Sequence, residues 1–199
     1  TYQPSDSRTS APMSTILSAR GRCGEDSTFT VAAMRTAGIP ARQVYTPRWA
    51  HSDDNHAWIE IWKDGAWYYM GACEPEPVID RGWFTEPARR AMLVHTKSFG
   101  AFSGTENIIN HHEKYTEVNN LSKYAVTKKI TVKTLDSAGN PVKDAIVEFQ
   151  LYNYAEFYPL AMVPADSGGV CSFETGLGDL LIWGRRNDDF DFKKVSVAD

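Results

Sequence analysis

One segment of this chain repeats its apolar residues at helical spacing over several turns, and most of the sequence beyond it alternates instead. Phe29, Ala32, Ala33 and Ala37 fall on a single stripe, which predicts a helix of about 14 residues beginning at or just after Cys23. Glu25 and Asp26 put negative charge in its first turn, where the helix dipole favours it. Gly38 and then Pro40 close it in the usual order. Beyond it, Arg42–Tyr45, His56–Trp62 and Ala66–Ala72 read as strands. The last two are joined at Lys63-Asp64-Gly65, a strong hairpin signal. In His56–Trp62, Ala57, Ile59 and Ile61 point one way; His56, Trp58, Glu60 and Trp62 point the other. A helix followed by hairpins gives an α+β class.

Residues 1–20 form an irregular lead-in with a short helical piece near Met13–Leu17. Pro87 suits the first position of a short helix running to about Met92, and a strand follows to Lys97. Residues 100–122 are polar and mixed and read as a connecting stretch. From Tyr124 the pattern is all-β: Val126–Leu135, Ala145–Tyr152, Val170–Thr175, Leu180–Gly184 and Phe192–Val197, punctuated by Asp136 to Pro141 and by Ser167-Gly168-Gly169. Short strands at this spacing suggest a small β-sandwich. The expected division is an α+β domain over 1–115, a linker over 116–123 and a sandwich over 124–199.

Charge and cysteine usage narrow the function. With a net charge of −4 and no Lys/Arg-rich run, nucleic acid is not an expected partner. The apolar run Leu180–Trp183 falls far short of the roughly 20 residues that span a bilayer, so no membrane span is expected. Cys23, Cys73 and Cys171 are too few, and odd in number, for a disulfide scaffold; they leave room for a free reactive thiol. No signal peptide is visible, and a chain that opens on Thr1 without Met leaves its destination unread.

Cys23 is the candidate nucleophile. A thiol attacks as thiolate, and a helix N-terminus and a nearby imidazolium both favour that form. Gly21 and Gly24 flank it and permit close approach. His56, at the start of a strand after a polar loop, is the candidate base. The plain alternatives are a buried structural cysteine and a surface histidine. His51 and His56 with Asp53 and Asp54 do not have a specific ligand spacing, so neither a metal nor a cofactor is expected.

Gly21-Arg22-Cys23-Gly24-Glu25 followed by His56-Ala57-Trp58-Ile59-Glu60-Ile61 resembles the transglutaminase-like superfamily, with an echo of the peptide N-glycanases. Ala37-Gly38-Ile39-Pro40-Ala41-Arg42, Trp67 and Cys73-Glu74 extend the likeness. It implies a papain-like core over 1–115, with Cys23 and His56 catalytic. The substrate implied is a peptide, protein or glycopeptide amide, resolved by water or by an amine. The family's third residue, an Asp a few places past the second strand's Trp, falls here on Gly71. Glu74 is the nearest carboxylate. In a two-residue turn His56 would face Cys73, and Glu74 would point away. In a three-residue turn closed by a Gly65 bulge His56 would face Ala72, with Glu74 as its diagonal neighbour. The second version suits Gly65 and makes Glu74 the expected orienter, with Asp80, water or a backbone carbonyl as substitutes. Trp49, Trp58 and Trp67 are candidate substrate-groove residues, or ordinary core; Cys73 and Cys171 read as packed. The missing Asp also allows an inactive peptide- or glycan-binding module. The C-terminal strands are similar to immunoglobulin-like or prealbumin-like modules of bacterial surface proteins, which implies an extracytoplasmic location.

Overall fold

The computed structural model describes residues 9–198; the start of the lead-in, residues 1–8, lies outside them. The chain is α+β with a β-rich C-terminal part. It divides into two compact units. One runs up to Tyr45 and resumes over Asn55–Pro87; the other comprises Thr46–Asp54 and everything from Ala88 on.

The first unit holds two helices, α1 (Pro12–Ser18) and α2 (Cys23–Thr36), and the strands β1 (Ala41–Thr46), β2 (His56–Lys63) and β3 (Ala66–Met70) in the order β3-β2-β1. Pro12 at the first turn starts α1, where its missing N–H costs nothing. The helix α2 ends where Gly38 takes φ of 81°. Val31 of α2 packs with Ala41 and Ile59, and Met34, Ile61 and Met70 surround that cluster. The predicted apolar side of β2 is therefore the side against the helix.

A short helix, α3 (Thr85–Ala88), comes next. The sequence predicts a helix beginning at Pro87 and continuing to Met92. Ala91, Met92, Leu93 and Val94 are instead all fully buried. Four consecutive buried residues suit an extended chain entering a core, whereas a helix of one apolar face would leave some of them in water.

In the second unit β4 (His95–Phe99), β5 (Asn107–His111) and β6 (Tyr115–Asn119) are arranged β4-β6-β5, and a 3-10 turn covers Leu121–Lys123. The stretch read as a connector thus carries two strands. Its polar residues misdirect the reading because several are buried and bonded. Asn119 donates to the Glu174 carbonyl and accepts the Leu121 N–H.

The remaining strands are β7 (Lys128–Lys133), β8 (Ile146–Asn153), β9 (Glu156–Pro164), β10 (Val170–Thr175), β11 (Gly178–Arg186) and β12 (Asp189–Val197). They form a β10-β7 pair and a sheet in the order β12-β11-β8-β9. Val147, Phe149, Leu160, Cys171, Phe173 and Ile182 share one core, with the Phe149 and Phe173 rings 4.8 Å apart. That arrangement is compatible with a sandwich, and Cys171 sits inside it as expected. Burial, then the charge of Asp166, pushes its thiol up to about 11.

The strand β9 has no counterpart among the predicted strands. Pro159 and Pro164 argue against a strand, yet an edge position tolerates them. The β8–β9 turn is made by Tyr154 and Ala155 at φ of 51° and 58°, without glycine or asparagine to announce it.

Candidate active site

Every residue of the proposed Cys–His–Glu set lies in the first unit. Cys23 is the first residue of α2 and is 5% exposed. Glu25, two residues on, is not the solvated charge that a first-turn acid usually is. It is buried, and its two carboxylate oxygens accept the backbone N–H groups of Ser10 and Arg22 at 3.1 and 3.2 Å. Gln43 of β1 donates to the Gly24 carbonyl at 3.1 Å and to Ser27 Oγ at 2.7 Å. The turn carrying the thiol is thereby clamped from both sides. Gly21 is required at its entrance: a Cβ there would lie 2.9 Å from Asp26 Oδ1 and from Glu25 Cβ. A cavity of about 290 Å³ opens beside this turn, bordered by Arg20, Gly21, Asp26 and Phe29.

His56 is the first residue of β2 and is 6% exposed. Its ring stacks 5.8 Å from Trp58 on its own side of the strand, and Trp83 and Phe84 close in at 4.7 and 5.0 Å. Its Nε2 lies 3.8 Å from Glu74 Oε1. The Trp83 indole N–H donates to the same oxygen, which fixes the carboxylate in place.

Glu74 arrives there by a different route from the one expected. The hairpin pairs Lys63 with Ala66 and Ile59 with Met70, so the turn has two residues, Asp64 and Gly65, both at positive φ. The three-residue turn is corrected: Gly65 serves the second position of a tight primed turn and no bulge forms. Pairing stops at Met70. The chain then leaves the ladder through a corner so close that a Cβ on Gly71 would sit 2.9 Å from the Glu74 backbone oxygen. That corner, and not strand register, turns Glu74 toward the imidazole. Asp80 is occupied elsewhere, accepting the Tyr69 N–H at 2.8 Å while its own N–H donates to the Tyr69 carbonyl.

Cys73 stands next to Glu74 and half-buried. Burial, a hydrogen bond with Asp26, the charges of Glu74 and Asp26, and Cys23 together push its thiol far up. Cys73 therefore remains a thiol at neutral pH and is a poor rival nucleophile.

The tryptophans fall in three settings. Trp49 is buried in the second unit, where its carbonyl accepts from Asn153 at 2.9 Å. Trp58 is fully buried and stacks on Phe84 at 4.7 Å. Trp67 is half-buried, with the Arg42 guanidinium 4.0 Å above its ring. Of the aromatics beside the imidazole, Trp83 is the exposed one, at 54%, and sequence reasoning misses it. Its only signal is an aromatic pair, Trp83-Phe84, in an otherwise irregular segment. Among the described residues no group of three or more His, Cys, Asp or Glu side chains is placed to hold a metal, and no helix is long and apolar enough to cross a membrane.

Residues 1–72 match the model of the transglutaminase-like superfamily. No curated protein matches the chain.

Proposed function

We propose that Cys23 and His56 form a papain-like thiol site that hydrolyses or transfers the acyl group of peptide, protein or glycopeptide amides. The observation that carries this is the carboxylate at the outer imidazole nitrogen: Glu74 Oε1 lies 3.8 Å from His56 Nε2. A carboxylate on Nε2 favours the tautomer with its proton there and makes Nδ1 the basic nitrogen. Nδ1 takes the Cys23 proton, and the thiolate attacks the amide carbonyl. The imidazolium then protonates the departing amine, leaving a thioester. Water or a second amine resolves the thioester, with His56 again moving the proton. Glu74, held by Trp83, stabilises the imidazolium between the two transfers. The distance of 3.8 Å is longer than a hydrogen bond, as catalytic contacts without substrate often are.

The test is the reactivity of Cys23 in the full chain, with Cys73 and Cys171 replaced by serine. Iodoacetamide should alkylate Cys23 at pH 6 at least about tenfold faster than in the His56→Ala variant, with Glu74→Gln in between. A p-nitrophenyl ester should release a burst of nitrophenol equal to the amount of Cys23. Equal alkylation rates with and without His56, together with no burst, would make the chain an inactive binding module.

A further inference from the structure

The second unit holds a cavity of about 720 Å³, a size typical of small-molecule sites. All of its lining residues belong to that unit, so nothing about it rests on the thiol site. Its lining is partly aliphatic: Leu151 and Leu180, both buried core residues, with Leu177 and, on the opposite face of β11, Leu181. A tilted pair of rings, Tyr152 and Phe157 at 5.4 Å, stands at one wall and remains more than half exposed.

The polar groups of this cavity are unbalanced in sign. Arg89, Arg90 and Lys194 face a single carboxylate, Asp179. Asp179 is committed to Lys194 at 2.7 Å and to the Ser196 hydroxyl; those bonds, Lys194's first, hold its carboxyl below the usual range. Arg90 forms no ion pair among the described residues, and burial, then the Arg90 charge, lowers the pKa of His51, which also lines the cavity. A partly aliphatic lining with a surplus of guanidinium at the rim complements a molecule with one anionic head and an apolar body. The fixed negative charge of Asp179 in the same space disfavours a dianionic head.

We propose that this cavity binds an amphiphilic monocarboxylate, its aliphatic chain against Leu151 and Leu180 and its carboxylate at Arg90.

Titration calorimetry of the full chain with hexanoate, octanoate and decanoate tests this, alongside decanol and decyltrimethylammonium. The dissociation constant of the carboxylates should fall by about fourfold per added methylene. Decanol and the ammonium should bind at least about tenfold more weakly than decanoate. Arg90→Ala should weaken decanoate about tenfold and leave decanol unchanged. A nuclear magnetic resonance titration of His51 in the unaltered protein keeps the idea testable should that variant misfold. Bound decanoate must raise the His51 pKa by offsetting Arg90. Equal affinity for decanol and decanoate, no saturable decanoate binding, or a His51 titration unmoved by decanoate would overturn the assignment.

Discussion

Placing an alanine at Gly71 isolates the corner that brings Glu74 to His56. The added Cβ would lie 2.9 Å from the Glu74 backbone oxygen and 3.4 Å from its carbonyl carbon. Both are backbone atoms and cannot rotate aside, so relief must come from opening the corner by several tenths of an ångström. Overpacking of this kind costs about 1–3 kcal/mol, or roughly 2–12 °C in Tm for a chain of this size. The same opening carries Glu74 away from the imidazole, so Cys23 alkylation at pH 6 should also slow. Gly71→Asp makes the comparison decisive. It adds the carboxylate that the superfamily places there, on the same obstructed Cβ. It should be at least as destabilised as Gly71→Ala, with Cys23 no more reactive than in the unaltered chain. Urea unfolding followed by tryptophan fluorescence and iodoacetamide kinetics would measure both. An aspartate variant as stable as the parent and faster to alkylate would refute the claim that the corner replaces the strand-borne acid.

Two further effects arise in the second unit. Ala155 holds φ of 58° in the β8–β9 turn, a conformation that costs a side chain roughly 1–2 kcal/mol; Ala155→Gly should raise the unfolding free energy by about 1 kcal/mol, and a loss of stability in urea would contradict it. The other effect concerns acid: burial lowers the pKa of His95, its bond to Glu117 notwithstanding. Burial opposes the ionised form of Glu117, but the hydrogen bond from His95, with Lys97 and His112, holds its carboxyl below the ordinary value. Both folded pKa values lie below their unfolded ones, so both contributions are complete above about pH 6.5. As pH falls, the His95 contribution goes first, below 6.5, and the Glu117 contribution next, below 4.5, each with a slope of up to about 1.4 kcal/mol per pH unit. His95→Gln should flatten the decline between pH 6.5 and 5 in urea titrations, whereas a parent that gains stability over that interval would show the pair to be a charged bridge.

What the residues disclose depends on whether local chemistry and burial agree. The helix α2 is announced by its first-turn acids and glycine stop, and its observed start at Cys23 matches, but its buried side carries Ser27 and Val31 whereas Phe29, Ala33 and Ala37 of the predicted stripe are exposed. The β2–β3 hairpin combines alternation with Asp-Gly, and both strands form. Agreement fails where polar side chains are interior. His95, Thr96, Thr116, Asn119 and Asn120 are each at most 6% exposed, so a strand pair in the second unit carries a loop's composition. It fails again at β9, where edge position tolerates the prolines and a Tyr154-Ala155 turn lacks any glycine cue.

Glu74 lies beside His56, as expected, but not by the register the expectation used. Periodicity allows two registers, and reading the loop glycine as a bulge selects the wrong one. The actual two-residue turn would have pointed Glu74 away had the ladder continued. It does not continue: pairing with β2 stops at Met70, while the outward-facing Tyr69 N–H and carbonyl bond Asp80, so the intervening chain loops out and returns. Asp80 at φ of 58° and Gly71 beneath the Glu74 carbonyl are the two ends of that excursion. A closed excursion fixes its own geometry, so a carboxylate three positions past the usual place can reach the imidazole only while both ends hold. Gly71 is then the structural condition for the approach of Glu74 to His56.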